Sequence, residues 1–119
     1  MSLKTVMLAL GVFYVAIGIL GFVPGVTNDG LLIGIFAVNA LHNIVHLALG
    51  AALIWGSRTA NNMVNQVLAV VFVVLVVGSF VAPIVEQVPL NPPDTALHLV
   101  SALITGYYGF MRKPAMTTA

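Results

Sequence analysis

Two histidines and two asparagines interrupt the apolar run VNALHNIVHLALG, residues 38–50. Their spacing puts Asn39, His42, Asn43 and His46 on one face of a helix, and Gly50 continues that face. Imidazoles four residues apart on a helix can share one divalent metal ion, which makes His42 and His46 a candidate metal pair. The zinc-protease pattern H-E-x-x-H is not met, because Asn43 stands where the general base is needed. Haem asks for different geometry. Its two axial ligands approach from opposite faces, so two histidines of one helix cannot both serve. His98, in NPPDTALHL, could pair with His46 in that role.

A second chemistry competes with both. Polar side chains in an apolar bundle hydrogen-bond across helices, each bond contributing about 0.6–2 kcal/mol. Read this way, Asn39, His42, Asn43, His46, Asn91, Asp94, His98, Ser101 and Tyr14 form a structural polar network and no cofactor is held. Gly11 and Gly18, with Tyr14 between them, would let the first helix lie close to a neighbour. On His98, Ser101, Thr105 and Tyr108 a similar stripe recurs. Catalysis is not expected: Ser57, Ser79 and Ser101 sit in no nucleophile motif, and no Gly-rich phosphate loop or acid pair occurs.

The elements that position these residues follow from composition. Of 119 residues, 61% are hydrophobic and 6% charged, with a mean hydropathy of +1.12. A soluble domain carries about 25% charged residues, so this chain is expected in a bilayer. A net charge of +1 offers no basic stripe for nucleic acid, and with no cysteine there is no thiolate ligand or disulfide. Apolar stretches at 5–23, 31–56, 63–82 and 95–111 each approach the ~20 residues that cross ~30 Å of hydrocarbon. They lack the alternation of barrel strands. The fold expected is all-α, a four-transmembrane-helix bundle forming one domain over 1–119. The first stretch exceeds the ~7–15 apolar residues of a signal peptide and is read as a retained helix.

Charge placement sets the threading. Lys4, Arg58, Arg112 and Lys113 fall at the two ends and in the middle loop, while Asp29, Glu86 and Asp94 fall in the other two loops. Cations mark the cytoplasmic side, so both termini are expected inside a bacterial inner membrane, and all three acids at the outer rim. Trp55 and Tyr107 or Tyr108 fall near the inner boundary.

An offset of 52 lays VNALHNIVHLALGAALI over LNPPDTALHLVSALITG, matching Asn39 with Asn91, His42 with Asp94 and His46 with His98. Two hairpins, about 5–56 and 63–112, are therefore read as parallel repeats about an axis along the membrane normal. In the second, Asn91 is a helix cap followed by Pro92, with Asp94 at the third position of a capping box. By analogy Asn39 caps the second span, His42 lies near the headgroups, and GLLIGIFAV, residues 30–38, lies at the outer interface or dips into it. The rival start, at Leu31, makes a helix of ~39 Å.

GVFYVAIGILGFVPG, VNALHNIVHLALG and NPPDTALHL together resemble a bacterial family of small four-helix membrane proteins catalogued as a domain of unknown function. The resemblance spans nearly the whole chain and implies four spans, with no reaction or ligand attached. Members often carry proline after the first cap asparagine, where this chain has Ala40. The function expected is a structural or accessory subunit of a membrane complex. Haem or metal binding through His46 and His98 is the alternative, and proton or small-ion conduction by a homo-oligomer a further one.

Overall fold

The computed structural model describes residues 3–59 and 61–111. Arg112 and Lys113, two of the cations behind the expected threading, lie outside the described residues. The chain runs α1 (Leu3–Leu20), β1 (Thr27–Asn28), β2 (Leu31–Leu32), β3 (Phe36–Ala37), α2 (Ala40–Arg58), α3 (Asn62–Gly78), α4 (Ala82–Gln87) and α5 (Pro92–Gly106), closing in a π-helical turn at Tyr107–Met111. It is mostly helical. Among the described residues one helix, α2, is long and apolar enough to cross a membrane by itself; Lys4–Leu20 and Asn62–Gly78 are shorter apolar helices.

The second long helix starts at Ala40, behind the Asn39 cap, and not at Leu31. Residues 27–37 instead form a three-stranded antiparallel meander, paired Thr27 to Leu32 and Leu31 to Ala37. Asp29 and Gly30, both with positive φ, make the two-residue turn of its first hairpin. The second turn forces Ile33 to φ 48°, a costly conformation for a β-branched residue.

Antiparallel packing builds two hairpins, α1 on α2 and α3 on α5. In the first, glycines set the spacing. A Cβ on Gly11 would lie 2.9 Å from the Gly50 carbonyl oxygen, and one on Gly18 2.8 Å from the Leu47 side chain. In the second, a Cβ on Gly109 would lie 2.6 Å from the Gln66 backbone nitrogen. The π turn opens at this crossing, where Gln66 Nε2 donates to the Gly109 carbonyl.

The helix caps join the hairpins. Asn39 Oδ1 accepts from the His42 N–H, and its Nδ2 donates 2.9 Å to the Gln87 carbonyl. Asn91 Oδ1 accepts from the Asp94 N–H, and its Nδ2 donates 2.8 Å to the Ile35 carbonyl. Asn39 and Asn91 are 52 positions apart in sequence, and so are Ile35 and Gln87. Each cap asparagine thus closes its own helix and clasps the loop of the other hairpin. This capped end, with Leu32, Val38 and Leu90 buried, covers the starts of α2 and α5.

Candidate metal centre

The core beneath the capped end is polar. His42, Asn43 and His46 from α2 are buried together with Asp94, His98 and Ser101 from α5. His42, His46 and His98 are at most 1% exposed. Their ring centroids are 4.1 Å apart for His42 and His46, and 5.9 Å for each of these against His98. One nitrogen from each ring can be chosen so that all three lie within 4.8 Å of one another.

One sequence expectation is refined here and another corrected. His42 stands at the start of α2, as its match to Asp94 implies, but the meander and the loop before α5 fold over the helix starts and bury it. Asp94 is not at the rim but fully buried, with Oδ1 4.0 Å from His42 Nε2. Its other oxygen, Oδ2, accepts from the Asn91 N–H at 3.3 Å and completes the capping box.

The separate candidate pairs, His42 with His46 and His46 with His98, become one triad contributed by both hairpins. Around it, Tyr14 stands edge-on to His46 at 5.4 Å and parallel to His98 at 6.3 Å, while Phe72 lies 6.1 Å from His98. Tyr14 Oη and Ser101 Oγ are 2.9 Å apart. Since the Ser101 hydroxyl proton goes to the Leu97 carbonyl, the tyrosine is the donor of that pair. Thr105 is buried, on the stripe expected to face inward, whereas Phe72 and the buried Asn65 were not among the residues expected at the core. Asn65 donates to the Gly56 carbonyl at the end away from the histidines. A lone asparagine in the valine-rich run of α3 was its only signal.

What separates the triad from a hydrogen-bonded network is satisfaction. Asn39, Asn91, Tyr14 and Ser101 have partners, as a polar network requires. Both nitrogens of all three imidazoles, Asp94 Oδ1 and Asn43 Oδ1 have none, and away from the histidines Asn65 Oδ1 has none either. The Ala37 and Pro89 backbones face the His42 ring but do not meet hydrogen-bond geometry. A buried polar group left unpaired costs about 1–3 kcal/mol, so six such nitrogens are an expensive arrangement unless they bind something. A tetrahedral zinc-type ion has N–metal distances of ~2.0–2.1 Å, which puts its ligand nitrogens roughly 3.3 Å apart. From within 4.8 Å, the three nitrogens would draw together by up to about 1.5 Å to reach that spacing. No open cleft separates His46 from His98, whose ring centroids are 5.9 Å apart. Tyr14 and Phe72 fill their flanks, and the clefts of about 350, 340 and 320 Å³ open elsewhere, with no histidine in their walls.

The family model for the domain of unknown function DUF4383 matches residues 4–111. The chain belongs to this family. The DUF4383 match takes in both hairpins and every residue of the triad. No curated protein and no solved structure matches the chain.

Proposed function

We propose that this DUF4383 protein is a four-span membrane protein, built from two related hairpins, that holds a divalent transition-metal ion on His42, His46 and His98. The observation that carries the metal reading is the set of three fully buried imidazoles with no hydrogen-bond partner. Imidazole donors suit zinc, cobalt, nickel and copper. The ion joins α2 to α5, so it clasps one hairpin to the other where the asparagine caps already do.

Support for the bilayer comes from an inverted distribution of polarity. Histidine, asparagine, aspartate, serine and threonine side chains are buried in the core beside its apolar residues, while Val70, Val73, Val74, Val77, Leu103 and Phe110 are all more than half exposed. In water so continuous an apolar surface would drive association; in lipid it is the expected exterior. Lys4 and Arg58 are exposed at one end of the bundle and Asp29 and Glu86 at the other, which favours an inside location for the first pair. Reporter tags fused at Lys4 and Arg58 are expected on the cytoplasmic side and one at Gln87 outside. A cytoplasmic signal at Gln87 would refute the four-span topology.

The role proposed is binding rather than conduction or catalysis. Past the Tyr14–Ser101 pair the core closes on Met7, Leu53 and Leu68, all buried, which favours an ion held over an ion passed on. Partner association is the second reading, and it rests on the outward face of α3, where Val67, Val70, Val73, Val74 and Val77 stand exposed. That face suits lipid, a larger membrane complex or another copy of the chain. An accessory subunit clasped by a metal would satisfy both readings.

Titrating detergent-purified, chelator-treated protein with Co²⁺ tests the metal reading. One equivalent should raise the intense visible d–d bands of a tetrahedral nitrogen-rich site, and Zn²⁺ should quench them. A titration showing only the weak octahedral spectrum of free Co²⁺ would sink it.

A further inference from the structure

Asp94 is a buried acid without a cation. Among the described residues the other acids, Asp29 and Glu86, and the cations Lys4 and Arg58 are exposed, and its one near charge partner is His42. A buried carboxylate is found paired or at a metal, because its desolvation is otherwise uncompensated. Its two oxygens have different duties. Oδ2 accepts from the Asn91 N–H, which fixes the side chain; Oδ1, 4.0 Å from His42 Nε2, meets no hydrogen-bond geometry, although the Ala37 backbone faces the carboxyl. A small rotation lets the Nε2–H donate to Oδ1, which presents Nδ1 as the lone pair for an ion. Histidine ligands are held by carboxylates in this way at many metal sites. The placement is also the point where the two hairpins differ. His46 and His98 match at the offset of 52, whereas His42 is answered by Asp94. The histidine comes from one hairpin and the acid that orients it from the other.

Resting on the metal reading above, we propose that Asp94 is the positioning and charge-balancing residue of the triad, and that it selects a divalent over a monovalent ion. The attraction between carboxylate and ion scales with the product of their charges. Removing the negative charge therefore costs a divalent ion about twice the free energy it costs a monovalent one, so the loss in affinity for the first is roughly the square of the loss for the second. A role confined to capping α5 would weaken both alike.

The experiment compares Co²⁺ and Cu⁺ binding, in competition with chelators, for the whole protein and its Asp94→Asn and Asp94→Ser variants. Co²⁺ affinity should fall about 10- to 100-fold, as for other outer-shell partners, and Cu⁺ affinity by roughly the square root of that. The Cu⁺ measurement doubles as the control that the histidines are still assembled. Equal losses for the two ions in both variants, or no loss for either, would overturn the proposal while leaving the metal site standing. If the unaltered protein binds neither ion, the metal reading itself falls.

Discussion

His98→Leu is expected to abolish stoichiometric Co²⁺ and Zn²⁺ binding without destabilising the metal-free protein. Loss of an outer-shell partner costs about 10–100-fold in metal affinity, so loss of a direct ligand from a three-histidine site should exceed 100-fold. In thermal or denaturant unfolding, the unaltered protein at an ion concentration 100 times its dissociation constant gains about 2.7 kcal/mol, and the variant gains nothing. The metal-free comparison decides between the two chemistries of these residues. If His98 hydrogen-bonded across the bundle, its removal would leave a partner unsatisfied and lower stability by about 1–3 kcal/mol. Its nitrogens have no such partner, so a leucine of similar volume should be neutral or stabilising. A clear loss of metal-free stability would return the histidines to a structural role.

The polar face of α2 was legible because helical spacing alone puts Asn39, His42, Asn43 and His46 together, and the Asn91-Pro92-Pro93-Asp94 run is a strong helix start. The Asn39 start of α2 followed from the match to that run, not from local signals. Depth was harder to read. Charge in sequence suggests the rim for Asp94, and the match of the two helix starts set His42 near the headgroups. Their burial depends on the meander closing over the helix starts, a tertiary event. The meander itself left a signal in Asn28-Asp29-Gly30, a hairpin turn sequence, but strands of two residues are too short for hydrophobic alternation to mark. His42 and His98 could not be joined from sequence either. Their meeting depends on how the two hairpins pack, and pattern within each helix carries no information about that.

The first hairpin was foreshadowed by Gly11 and Gly18, which meet Gly50 and Leu47 of α2. Gly50→Leu is expected to break the first hairpin. Even the first carbon of a side chain there would lie 2.7 Å from the Val15 backbone nitrogen and 2.8 Å from the Gly11 carbonyl oxygen. Backbone atoms cannot rotate aside, so α1 must lift from α2 along the seam. Overpacking that side chains can absorb costs about 1–3 kcal/mol, and a contact that only a helix shift relieves should exceed this range. Because α1 carries Tyr14, which stands against His46 and His98 and donates to Ser101, the shift should also weaken Co²⁺ binding, although none of the atoms nearest a Cβ at Gly50 belongs to a histidine. Gly106→Ala is the contrasting case. The nearest atom to its new Cβ is the Ala69 Cβ at 3.9 Å, an ordinary contact. There the gain in helix propensity, about 1 kcal/mol, should dominate and stabilise the protein. Denaturant unfolding in detergent, read alongside Co²⁺ absorbance, separates the two glycines. If Gly50→Leu unfolds at the same midpoint as the unaltered protein and binds Co²⁺ as well, the close seam between α1 and α2 is wrong.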